Sequence, residues 1–199
     1  MPTEPTPMPF RRALDYALRD LLTGYGIPAI NATFTAELAA QDASTIQMSA
    51  VDVPIGDLPA VSQPQICIVD GGESNDELAS GLFNLTLHTE IRVKTPWLLD
   101  SSPEAFSYFF GVVTDTLRDL LNNQKTRQIF PKNPDTGGYA LPPHADGKPW
   151  GFQSCKTGRA YPMPWPVESA EGVIRYRGIL ITHKAEIEYS LNRSSYVGP

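Results

Sequence analysis

Lysine and arginine never form a run in this chain of 199 residues; the densest basic spot is Arg175 and Arg177, two positions apart. With 22 acidic against 16 basic side chains, the formal net charge is −6. Gripping nucleic acid through its phosphates needs a concentrated basic surface, so that class of protein is disfavoured. Cysteine is nearly absent. Cys67 and Cys155 show no CxxC spacing and no ligand pattern nearby. Sequence alone supports no disulfide between them, and two reduced thiols are the expectation. No segment approaches the ~20 apolar residues of a membrane helix. The opening Met1-Pro2-Thr3-Glu4-Pro5 lacks the basic start and apolar stretch of an export signal. The sequons at Asn31, Asn84 and Asn192 therefore read as chance.

Catalytic signatures are missing too. There is no G-x-S-x-G, no phosphate-cradling G-x-x-x-x-G-K-[ST] and no G-x-G-x-x-G. The three histidines are far apart. His88 falls on the polar face of a predicted strand, His183 on the apolar face of another, and His144 in a predicted loop. Such isolated histidines are more often structural than catalytic. His144-Ala145-Asp146, with Cys155 in the same loop, is the best metal candidate, but it lacks the tight pairs of zinc sites. The stretch Asp70-Gly71-Gly72-Glu73-Ser74-Asn75-Asp76-Glu77 has the composition of a calcium loop without its alternating order. It reads as a solvated acidic turn closing a strand. The expectation is a protein that is not an enzyme and holds no metal or cofactor.

What is present is patterning. Hydrophobic residues make up 41% of the chain, enough for a real core, and charged residues 19%. That charged share is below the ~25% usual for soluble domains. It fits a surface covered by partners, and fits a loop-rich secreted protein equally. Residues 1–8 hold Pro2, Pro5 and Pro7 and should form an extended arm. A helix is predicted from Pro9 to about Thr23, with Phe10, Leu14, Leu18 and Leu21 on one face. Arg12, Asp15 and Arg19 would lie on the other, with Asp15 and Arg19 as an i,i+4 pair. Gly24 and Gly26 should end it, and Pro28 should prevent its return. Thr35 to Ala43 suits a short helix, and Thr45 to Val53 a strand.

Ile66, Cys67, Ile68 and Val69 form a short apolar run that suits a strand covered on both faces. Leu82 to Lys94 alternates strictly, with Phe83, Leu85, Leu87, Thr89, Ile91 and Val93 on the apolar side. Pro103 opens a second helix with a wide apolar stripe from Phe106 to Leu121. Residues 131–168 then hold eight prolines and five glycines, with Trp150, Trp165, Tyr139 and Tyr161 among them. They read as an extended loop insertion that orders on a partner. The last run, Gly172 to Leu191, switches phase at Gly178. It should either bend there with a bulge or project beyond the domain to pair with a neighbour. The fold class is α+β: a mixed, mainly antiparallel sheet against two amphipathic helices, one domain over residues 9–199.

This order of elements resembles the tail terminator, or tail-completion, proteins of tailed bacteriophages. The resemblance is carried by Phe10-Arg11-Arg12-Ala13-Leu14 and Gln65 to Val69. It continues in Phe83 to Lys94 followed by Pro103 to Asn122, and in Arg175-Tyr176-Arg177-Gly178-Ile179-Leu180-Ile181. The insertion at 131–168 departs from the shorter family pattern. The resemblance implies a virion protein assembled in the host cytoplasm as a ring, usually of six copies. It implies tail-tube and neck or connector proteins as partners, DNA only as passing cargo, and no membrane. Candidate interaction residues are Asp70, Glu73, Asp76, Trp150, Trp165, Arg175 and Arg177. The alternatives are another head–tail neck component, or a metal-dependent enzyme with its site in 131–168.

Overall fold

The computed structural model describes residues 10–39, 48, 53–57, 64–79, 81–95, 103–122, 154–169 and 172–190. The expected N-terminal arm, His144, Asp146 and Trp150 lie outside the described residues. Helix α1 spans Phe10–Leu21 and runs through a π-helical turn, Leu22–Gly26, straight into α2, Ile27–Ala39. Glycines and proline do not end the helix here, contrary to the sequence expectation. Gly26 is buried, and a Cβ on it would meet Leu117 and Leu22 side chains at 3.3 Å. It allows close helix packing rather than termination. Pro28 follows closely on the π-helical turn, so the widened turn falls where proline lacks an N–H to donate to the preceding turn. Residues 40–43 of the expected short helix, and most of Thr45 to Val53, lie outside the described residues.

Four strands form one antiparallel sheet in the order β1-β2-β4-β3. They are β1 (Gln65–Ala79), β2 (Leu82–Thr95), β3 (Ser154–Ser169) and β4 (Gly172–Ser190). Helix α3, Pro103–Asn122, follows β2. The alternation in β2 does what its period dictates. Leu85, Leu87, Thr89, Ile91 and Val93 are buried, and β4 adds Ile179, Ile181, Ala185 and Ile187 on the same face. Leu14, Leu18, Leu22, Ile30 and Phe34 pack onto that face with Phe109, Val113, Leu117 and Leu121. Phe34 stacks on Phe109 with ring centres 5.6 Å apart. Each such fully buried side chain contributes roughly 1.5–3 kcal/mol.

Ile66, Cys67 and Ile68 are all buried, so the start of β1 is covered on both faces as its apolar run predicts. Pro54–Gly56 lies along the outer edge there: the Ile68 N–H donates to Pro54 O at 3.0 Å and the Gly56 N–H to Ile68 O at 2.7 Å.

Three further expectations are corrected. Asp70-Gly71-Gly72 is not a closing turn: β1 continues to Ala79 across a bulge between Asp70 and Glu73. Gly72, at φ +90, absorbs the extra residue. The stretch 131–168 is not loop throughout, because Ser154–Ser169 is strand β3, paired with β4 along its length. Pro162, Pro164 and Pro166 are spaced by the strand period, so all three remove N–H groups from one side only, which an edge strand tolerates. Finally, β4 is neither broken nor bulged at Gly178, which pairs with Lys94 and Met163 in regular register. The irregularity lies instead in β3, between Thr157 and Ala160.

Candidate functional site

A line of polar residues crosses the helix-covered face of the sheet. Asp70, Thr89, His183 and Thr157 are successive cross-strand partners on β1, β2, β4 and β3. At the β1 end, Arg11 of α1 reaches down. Its guanidinium lies 3.1 Å from an Asp70 carboxylate oxygen and 3.2 Å from one of Asp15, and it donates to the His88 carbonyl. At the β3 end, Asn122 at the close of α3 both accepts from the Thr157 N–H and donates to its hydroxyl, each at 2.8 Å. Helices α1 and α3 are thus pinned to opposite edges of the sheet through one row.

Sequence reasoning placed Asp15 on a polar face opposite Leu14 and paired it with Arg19. The structure corrects both points. Asp15 is buried and its partner is Arg11, while Arg19 lies against Asp20. Burial raises the Asp15 carboxyl above its ordinary value; Arg11 opposes this and Asp70 adds to it. His183 is buried as expected, and burial with the nearby Arg11 charge pushes it down to about 4. Neither ring nitrogen has a hydrogen-bond partner among the described residues, and nor does the Thr89 hydroxyl opposite it. Both are closed from solvent.

The candidate interaction residues fall into two groups. Asp70, Glu73 and Asp76 lie on the distal part of β1, where every residue from Asp70 to Leu78 is exposed. Trp165, Arg175 and Arg177 lie in the β3–β4 hairpin: Trp165 is opposite Tyr176, which is flanked by the two arginines. Trp150 is outside the described residues. The register separates the groups diagonally. β2 ends at Thr95 opposite Arg177, so Gly172–Tyr176 overhang it and pair only with β3 among the described residues. Five residues of overhang extend about 17 Å at ~3.3 Å each. The acidic stretch lies on the far edge and at the other end, with Glu77 opposite Phe83 and Phe83 opposite Tyr189.

Sequence reasoning missed how unlike the two sheet edges are. Directly opposed residues in an antiparallel pair turn their N–H groups either both inward or both outward. The Thr157 N–H leaves the ladder for Asn122, and Pro162, Pro164 and Pro166 follow in the same phase once the bulge is counted. The outer edge of β3 is therefore poor in donors. The outer edge of β1 keeps them. The Ile68 N–H points outward to Pro54, and the same phase carried through the bulge reaches Glu73, Asn75 and Glu77. The two-residue spacing of the prolines was the available signal. No known protein-family model matches the chain, and no curated protein sequence matches it.

Proposed function

We propose that this protein is a non-catalytic assembly component of the tail-terminator kind: a ring of copies that ends a phage tail tube and offers a docking face to the neck. The observation that carries the reading is the β3–β4 hairpin, whose Gly172–Tyr176 segment overhangs β2 and pairs only with β3 among the described residues. A chain that stops a polymer needs complementary surfaces, and a projecting strand segment can supply one by pairing across subunits. Contacts between unlike surfaces of identical copies close into rings when the rotation permits. A net charge of −6 agrees with a channel that DNA passes without sticking.

The test is assembly. Mass photometry of the purified protein should find a species near six times the 21.8 kDa protomer. Added to polymerising tube protein, it should shorten and sharpen the distribution of tube lengths. A protein that stays monomeric with tube protein present, and leaves tube length unchanged, would sink the reading.

A further inference from the structure

We propose that α1 is an acid-released flap, hinged at the π-helical turn Leu22–Gly26 and let go from the sheet when His183 takes up a proton. The device does not depend on the ring reading. It has a trigger, a clamp and a hinge. The trigger is His183, which is 2% exposed and has no hydrogen-bond partner on either ring nitrogen among the described residues. A buried imidazole so placed has nothing to hold a second proton, so the charged form needs water.

The groups around His183 decide what a proton does there. Arg11 and Asp15 come from α1, and Asp70, Thr89 and Thr157 share its row on β1, β2 and β3. Helix α3 brings the uncharged Asn122, bound to Thr157. By strand alternation His88, Glu90, Lys156 and Lys184 belong to the opposite face. Arg11 is the cation on the His183 side, and its charge already bears on the ring. Asp15 and Asp70 are both engaged with that guanidinium, at 3.2 and 3.1 Å. A proton on His183 therefore meets a like charge.

That charge sits on the clamp. Arg11 ties α1 to the sheet by donating to the His88 carbonyl and pairing with Asp70. The neighbouring helices are anchored by neutral groups that acid leaves unchanged. Asn31 of α2 accepts from the Met48 N–H at 2.7 Å and donates to the Met48 carbonyl at 3.2 Å, while Asn122 of α3 binds Thr157. Between α1 and α2 lies the hinge. The Thr23 hydroxyl accepts from the Val53 N–H at 3.3 Å, which fixes the pivot, and a Cβ on Gly24 would meet nothing within 4 Å among the described residues. A widened turn holding glycines is where a continuous helix bends. Asp15 works against release: burial raises its carboxyl, so it takes a proton without opening.

The test is native-state hydrogen exchange followed by NMR, each rate corrected for the intrinsic effect of pH. At pH 7 the amides of Asp15 to Leu21 should be less protected than those of Ile91 and Ile181 in the central strands, which marks opening of α1 over an intact sheet. At pH 5 the α1 protection should have fallen roughly tenfold, and His183→Leu should abolish that fall. Protection of α1 that is the same at both pH values overturns the trigger. So does an equal fall in His183→Leu. Protection of α1 equal to that of the central strands at both pH values overturns the hinge, because the chain then opens only as a whole. If His183→Leu does not fold, the two wild-type comparisons decide by themselves.

Discussion

Protonating His183 places a second positive charge beside Arg11 beneath α1, so this one residue ties stability to pH. Its folded value is pushed down to about 4 from the ordinary 6.5. The unfolded chain binds the proton more readily, so the contribution is whole above about pH 6.5 and is lost as pH falls towards about 4. The full shift corresponds to about 3 kcal/mol at ~1.4 kcal/mol per unit. Asp15 acts with the opposite sign. Its folded value is raised, so its contribution is present at low pH and is lost as pH rises through that value. His183→Leu should flatten the slope of unfolding free energy between pH 6.5 and 4, measured by urea titration at several pH values; an unchanged slope would assign the acid sensitivity elsewhere. Thr89→Val should be neutral or stabilise by about 1 kcal/mol, because it removes a buried hydroxyl without a partner and keeps the shape. A thermal melt shifted clearly downward would show that the hydroxyl is bonded after all.

At the scale of elements, the Arg11 clamp holds α1 to the bulge in β1. Arg11→Met leaves Asp15 buried beside Asp70 with no counter-charge. The expected loss is roughly 2–4 kcal/mol, below the full value for a buried pair because both side chains keep slight exposure. The double variant Arg11→Met with Asp15→Leu should recover most of it in chemical denaturation, since the uncompensated charge is then gone. If the double variant is no better than the single, the clamp acts through Asp70 and not Asp15. Gly72→Ala should cost about 1–3 kcal/mol by forcing a side chain into a positive-φ bulge. Legibility at this scale followed periodicity. The strict alternation of Leu82 to Lys94 and the stripe from Phe106 to Leu121 predicted β2, α3 and the face each buries. The helix through Gly24 and Gly26 was illegible because its reason is contact with Leu117, distant in sequence. β3 was illegible because proline counts against a strand until its spacing of two is seen to load a single edge.

For the whole molecule, the sheet was legible as a class but its order was not. Nothing local to β4 says that it inserts between β2 and β3, and only the fold brings Asp70, Thr89, His183 and Thr157 into one row. The same holds for the candidate interaction residues. The acids and the hairpin arginines were readable as sticky spots, but their diagonal separation comes from register. A further prediction belongs here. Replacing Pro162 and Pro164 by Thr restores two outward N–H groups to an edge that pairs with no further strand among the described residues. It should raise aggregation in light scattering at unchanged fold, because the blocked edge becomes a template.

The order of strands also governs how the chain is made. The central pair joins Leu82 to Ser190, which are separated by most of the later sequence. During synthesis the β1–β2 hairpin and helices α1 to α3 emerge first, at ~5–20 residues per second. Until β4 arrives, the inner edge of β2 stands open beside Leu85, Leu87, Ile91 and Val93, several seconds in which a second nascent chain can pair there. The delay is kinetic and costs little at equilibrium, since doubling the length of a connecting loop adds only ~0.6 kcal/mol to its closure. Sequence added or removed between Asn122 and Ser154 should therefore alter the yield of folded protein far more than its final stability.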